Sequence, residues 1–244
     1  MKLRAVIFDI YHTLFEIGPP PADAAQCWES LWEDALADPP RLTLEEFAAE
    51  CEKIIHREHA AAVQVDVQNP EIYWPAVAQE ALPELARLGE TERDEFLYRH
   101  AKLQRTVKLM PGTAETLSDL AGRDVLLGLV SNCQPYTLRE LDSALSTGGL
   151  HRAIFKADLC FFSFQAGFSK PNPHAFRLLA ARLQACGITT AETLVVGDRP
   201  ANDLEPAQAQ GFQTWLFTAA PSADGQGGGD WSLLRRHLAT RIAR

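Results

Sequence analysis

Val6-Ile7-Phe8-Asp9-Ile10-Tyr11-His12-Thr13-Leu14 is the stretch on which the reading of this chain turns. Residues 3–9 form one continuous apolar run, the pattern of a strand covered on both faces in a parallel sheet. The run ends on a single carboxylate, Asp9, with Thr13 shortly after it. Three further segments follow in order: Leu127-Gly128-Leu129-Val130-Ser131-Asn132, Ser169-Lys170-Pro171, and Val195-Val196-Gly197-Asp198, the last followed by Asp203. In open parallel sheets, ligands sit at the carboxyl ends of strands near a switch in strand order. Asp9, Ser131-Asn132 and Asp198 each fall at the end of a predicted strand, so one sheet edge can gather them.

Outward from that stretch, Gly18-Pro19-Pro20-Pro21 breaks the chain. Residues 22–105 then change character: Ala, Glu, Leu and Arg dominate, and helical spacing predicts helices over 22–37, 43–62, 70–88 and 90–105. Thr43 is a predicted N-cap, with Glu46 completing a capping box. From residue 108 onward β and α patterns alternate. Helices are predicted from Gly112 to about 121 and over 135–145, 171–185 and 201–210. Strands are predicted over 125–130, 193–196 and 213–217, with short apolar pieces at 153–155 and 160–164. Alternation of this kind argues for a parallel sheet with helices on both faces. Residues 220–230 read as a mobile Gly/Ser/Asp-rich linker, and 231–244 as a last amphipathic helix.

Composition narrows the function class. Among 244 residues, 46% are hydrophobic and 23% charged, with a net charge of −9. The acidic balance opposes a general role on nucleic acid or anionic membrane, and no apolar run is long enough for a membrane span. Five scattered cysteines without a CxxC pair fit reduced thiols in a cytoplasmic protein, and no signal-peptide pattern stands at the N-terminus. A small anionic substrate stays compatible, because a local site can be positive on an acidic protein.

The ordered set of motifs resembles the haloacid dehalogenase-like (HAD) hydrolase superfamily. The resemblance implies an α/β fold: a Rossmann-like parallel-sheet core of residues 1–16 and 108–244, with an inserted helical-bundle cap over 17–107. The cap hinges would lie at 18–21 and 107–111. Asp9 is then the nucleophile, since a carboxylate can attack phosphorus or carbon to give an intermediate that water cleaves. Ser131 and Asn132 would hold the oxygens of the transferred group, with Thr13 in support. Lys170 would offset carboxylate repulsion and bind an anionic substrate oxygen. Magnesium is the implied cofactor, held by Asp9, Asp198 and the main-chain carbonyl of Tyr11, with Asp203 orienting a bound water or Lys170.

One position conflicts with the rest. Most phosphatases of the superfamily carry a second Asp two residues after the nucleophile, a general acid–base group typically worth about 10²–10⁴ in rate. Tyr11 stands there instead. Asp9-Ile10-Tyr11-His12-Thr13-Leu14-Phe15 resembles the Asp-x-Tyr-Gly-Thr-Leu-Phe of L-2-haloacid dehalogenases, whose halide leaving group needs no proton. Those enzymes replace the acidic motif, however, whereas Asp198 and Asp203 are kept here. Where they carry an early cap Arg, this chain reads Ser30-Leu31-Trp32-Glu33-Asp34, leaving Arg41 or Arg57 as substitutes. Metal-dependent hydrolysis of a small phosphate ester therefore ranks first and metal-independent dehalogenation second. A catalytically weak phosphate-binding or regulatory protein stands third. His12, His174, Trp32, Tyr73 and Trp74 are further residues that can face substrate.

Overall fold

The computed structural model describes residues 2–219 and 227–242. Strand β1, Ala5–Phe8, is buried along its whole length. It lies between β4, Leu126–Ser131, and β6, Thr193–Gly197, pairing with both in parallel. Outside β4 lies β5, Phe155–Phe162. Outside β6 lie β7, Gln213–Phe217, and the short β8, Gly228–Gly229, giving the order β5-β4-β1-β6-β7-β8. All neighbours are parallel.

Alternate residues of β1 serve opposite faces, as strand geometry requires. Val6 and Phe8 join one core with Leu117 and Leu120 of α5 (Thr113–Ala121), Leu141 and Leu145 of α6 (Pro135–Thr147), and Leu234 and Leu238 of α10 (Trp231–Arg241). Ala5 and Ile7 join the other core, with Phe176, Leu179 and Leu183 of α8 (Pro173–Ala185). Burial on both faces is the reason β1 reads as an unbroken apolar run.

Four helices fill the segment between: α1 (Ala24–Leu36), α2 (Leu44–Gln64), α3 (Trp74–Ala81) and α4 (Glu90–Gln104). They pack on a third apolar cluster that includes Trp28, Trp32, Phe47 and Phe96. The Thr43–Glu46 capping box is formed in both directions.

Several predicted elements are corrected. The helix expected over 70–88 is split. Pro75 sits in the first turn of α3, and Pro83 lies just beyond its end, followed by a 3₁₀ turn over Pro83–Arg87. Proline is tolerated in a first turn but removes a donor inside a helix. Of the pieces at 153–155 and 160–164, Phe155 and residues 160–162 belong to the single strand β5, which has a register irregularity, while 153–154 lie in a 3₁₀ turn and 163–164 in a short helix. The helix expected over 201–210 is a wide π-helical turn, Pro200–Leu204, followed by α9, Glu205–Gln208. The segments expected to act as hinges carry an antiparallel ribbon, β2 (Phe15–Gly18) with β3 (Thr106–Leu109). A Cβ at Gly18 would meet the Thr106 hydroxyl, which would have to turn aside. Of the predicted linker, residues 220–226 lie outside the described residues, and β8 and Asp230 follow them. Residues 243 and 244 of the last helix also lie outside. Among the described residues, no helix is long and apolar enough to cross a membrane.

Candidate active site

Sheet register brings the motif residues together. Phe8 pairs with Leu129 on one side and Val196 on the other. The residues that continue these strands, Asp9, Ser131-Asn132 and Asp198, therefore emerge side by side at the carboxyl edge. Asp9 N–H still donates to Val196 O at 2.9 Å. Gly197 permits the closest approach: a Cβ there would stand 2.5 Å from Cβ of Asp203, so only a glycine leaves room for the Asp203 side chain.

Lys170 is the centre of the site. It comes from the loop between α7 (Ser163–Ala166) and α8. Its ammonium donates to Asp9 Oδ1 at 2.7 Å, to Val130 O at 2.9 Å and to Asp203 Oδ1. All three groups are buried. An ammonium has three protons, so Lys170 has none left for a substrate oxygen. The expected role as counter-charge to two carboxylates is thus the one this geometry displays. Asn132 holds this lysine in place: its Oδ1 accepts from Lys170 N–H at 2.7 Å and its Nδ2 donates to Lys170 O at 2.8 Å. One Asn132 N–H remains for a ligand.

Asp203 has a partner on each oxygen, since its Oδ2 accepts from Arg199 N–H at 3.0 Å. Carboxylate oxygens of Asp9, Asp198 and Asp203 lie within 4.8 Å of one another. With Asp203 occupied, Asp9 Oδ2 and the Asp198 carboxylate are the free hard oxygens, the donor type that magnesium prefers. Burial pushes the Asp9 carboxyl up to about 6; Lys170 pulls it down and Asp203 pushes it up again. Burial also raises Asp198, with Asp203 adding to the effect and His12 opposing it. Burial alone would lower Lys170, but Asp9 and Asp203 outweigh it and hold the ammonium above its ordinary range.

These residues line a cavity of about 180 Å³, with Asp9, Asn132, Lys170, Asp198 and Asp203 inside. His12, Arg199 and Asn202 line the same cavity, and His12 and Arg199 are exposed. His12 has φ 61°, a left-handed backbone that bulky residues rarely adopt. The hydroxyls of Ser131 and Thr13 are buried without a partner among the described residues.

Tyr11 lines the cavity, but its hydroxyl is committed elsewhere. It donates to Glu140 Oε2 at 2.6 Å, lies 2.7 Å from Thr137 Oγ1 and accepts from Arg105 Nη2 at 2.8 Å. Arg105 also donates to both Glu140 oxygens and stacks over the Tyr11 ring, 4.8 Å from its centroid. Burial, then Glu140, hold the phenol far above its ordinary range, so it stays protonated. Sequence reasoning missed Glu140, Arg105 and Thr137. One signal was present: Glu140 is a lone acid on the buried face of α6, and buried acids need partners.

The remaining candidates lie apart from the cavity. Arg41 pairs with Glu84, and Arg57 with Glu80 and Glu58. Trp32 is sealed in the helical cluster, and Tyr73 is exposed. Trp74 stacks on His100 and anchors to Gln134 Oε1 through its main-chain N–H. His174 packs on Phe168.

Comparison with known proteins gives the family and the fold. A family model described as haloacid dehalogenase-like hydrolase matches residues 3–211. A phosphoserine phosphatase of Thermus thermophilus is 29% identical over 143 residues, covering 57% of this chain and 53% of that protein. The match thus spans about half the length of that relative. A 2-haloacid dehalogenase of Pseudomonas syringae pv. Tomato DC3000 superposes with a TM-score of 0.61 at 21% identity, covering 98% of this chain and 99% of the other. A HAD-hydrolase of Bacillus subtilis, solved bound to magnesium, superposes with a TM-score of 0.55 at 20% identity, covering 98% and 100%.

Proposed function

We propose, from the premise that the chain belongs to the haloacid dehalogenase-like hydrolases, that it cleaves small phosphate monoesters through an aspartyl intermediate on Asp9, with magnesium beside it. The observation that carries this reading is the retained acidic cluster: Asp198 and Asp203 close around Asp9, with two free hard oxygen donors. A site built to receive only an organic halide has no use for that density of negative charge. The partial similarity to a phosphoserine phosphatase supports the same reaction class.

In this reading Lys170 holds the Asp9 carboxylate through Oδ1, and one carboxylate oxygen of Asp9 attacks phosphorus while the other would face the magnesium. The bond from phosphorus to the ester oxygen breaks, and the electron pair leaves with that oxygen. Water then cleaves the aspartyl phosphate, releasing phosphate and restoring Asp9. Magnesium on Asp9 and Asp198 would neutralise charge on the phosphoryl oxygens. The remaining Asn132 N–H and the unpartnered Ser131 hydroxyl would supply hydrogen bonds to those oxygens. Residues 17–107 act as a cap over this edge, with the β2–β3 ribbon as its root, and the closed cap excludes water.

Tyr11 donates its hydrogen bond to Glu140 rather than towards a departing oxygen. The substrates served best are those whose leaving group departs as a stable anion: aryl, enol or acyl phosphates. Tyr11→Phe should therefore change kcat for p-nitrophenyl and alkyl phosphates by the same factor, while costing about 1–2 kcal/mol of stability through the lost hydrogen bonds to Glu140 and Arg105. Urea denaturation and a two-substrate rate comparison check this; a selective loss on the alkyl ester would make the phenol the acid.

Protons compete with metal for Asp9, whose carboxyl titrates at about 6 in the metal-free protein. Magnesium affinity, measured by isothermal titration calorimetry, should be flat above that pH. Below it, affinity should fall by up to about tenfold per unit.

Dehalogenation is the second reading, favoured by Tyr11 alone. Phosphate release from p-nitrophenyl phosphate that needs magnesium supports the first reading. Chloride release from L-2-chloropropionate, indifferent to EDTA, would replace it with the second. Magnesium or phosphate binding without either product would point to the binding protein.

A further inference from the structure

Charge balance in the cavity leaves an anionic substrate without a partner from the lysine. Three carboxylates, Asp9, Asp198 and Asp203, face one ammonium, and that ammonium is spent on Asp9, Asp203 and Val130 O. The carboxylates exceed it by two negative charges, which a divalent ion would merely cancel. Any further anionic group on a substrate therefore needs counter-charge from elsewhere on the cavity wall.

Arg199 is the permanent cation on the same cavity. Among the described residues no carboxylate lies within ion-pair distance of its guanidinium, whereas Arg41, Arg57, Arg87, Arg99 and Arg139 are each paired. Its backbone is fixed. Its N–H donates to Asp203 Oδ2, and its carbonyl accepts from Asn202 and Asp203 N–H at 3.2 and 2.8 Å. The side chain is exposed, whereas Asp9 is 6% exposed. A phosphoryl group bound at Asp9 lies deep, and a guanidinium on the exposed wall meets the part of the substrate beyond it. Asn202 lines the same cavity.

We propose that Arg199, with Asn202 beside it, forms a subsite for a second anionic group of the substrate, so that the preferred substrate is a small phosphate ester that also carries a carboxylate. The inference rests on the phosphatase reading above and deepens it. A guanidinium takes a carboxylate through two parallel hydrogen bonds, a geometry that a lysine cannot reproduce.

The test compares p-nitrophenyl phosphate with its 3-carboxylate derivative, whose carboxylate is meta to the ester oxygen and leaves the acidity of the leaving phenol nearly unchanged, in the presence of magnesium. In the wild-type protein the carboxylated ester should have a KM lower by about tenfold, the worth of a partly solvated charge-assisted pair. In Arg199→Ala the ratio of the two KM values should collapse to about one, and Arg199→Lys should restore part of it. A mere folding defect would scale both substrates together and keep the ratio. A wild-type ratio near one, or a ratio that survives Arg199→Ala, overturns the subsite. Calorimetry with phosphonoacetate against methylphosphonate reads the same ratio without turnover. Failure of hydrolysis with the binding ratio intact would thus sink the phosphatase reading and leave the subsite standing, and a flat binding ratio would sink the subsite.

Discussion

Lys170→Met is expected to lower the stability of the metal-free protein at pH 7 by about 3–5 kcal/mol, the usual cost of stranding buried charge. The substitution keeps the length of the side chain but leaves Asp9 and Asp203, both nearly sealed from solvent, facing each other with no cation between them. The sign of the pH dependence follows from Asp9. Its folded-state carboxyl titrates at about 6, above its ordinary value of 3.8. An acid raised on folding favours the folded state at low pH and loses that contribution as pH climbs through the folded value. Removing the lysine takes away the main force lowering Asp9. The Lys170→Met penalty should therefore be largest at neutral pH and shrink towards pH 5, where Asp9 takes up a proton. Urea denaturation of both proteins at the two pH values reads this directly. A penalty independent of pH would mean that Lys170 contributes packing rather than charge.

Asp9→Asn should separate activity from stability. Turnover of any substrate attacked by Asp9 should fall by about 10⁴-fold or more, as when a nucleophile is removed elsewhere. The folded state should be at least as stable as wild type at pH 7, because burial of the ionised Asp9 opposes folding and an amide of the same shape removes that burden, with Asp203 still holding Lys170. Sites that work are commonly less stable than their inert variants. Rates with magnesium and a thermal melt without it are the two measurements. Retained turnover would remove Asp9 from the reaction, and a large drop in melting temperature would show the carboxylate to be structural.

Both results bear on Tyr11 as well. Because its hydroxyl is tied to Glu140 and Arg105, the loop from Asp9 to Thr13 is anchored to α6 and to the end of α4. The residue that breaks the phosphatase pattern in sequence is thus a structural tie in the fold.

The fold was legible because its strongest signal is local. An apolar run such as Val6–Phe8 must be covered on both faces, and a parallel sheet is the arrangement that does so. The ends of those strands are where Asp9, Ser131-Asn132 and Asp198 stand in the sequence, so their convergence followed from topology alone. The four-residue ribbon of β2 and β3 was not legible, since each strand is short and its partner lies about ninety residues away. Nor was the split at α3, where a helical pattern concealed the effect of Pro83.

The sequence by itself determined the sheet, the helical insertion and the set of chemical groups that meet at one edge, because strand burial and strand ends are written in neighbouring residues. Tertiary structure alone decided how those groups are used. Whether Lys170 has a proton to offer a substrate, whether Tyr11 can release its own, and whether Arg199 stands unpaired all depend on hydrogen-bond partners at other points along the chain. Such partnership is a property of three-dimensional proximity, which no run of neighbouring residues encodes.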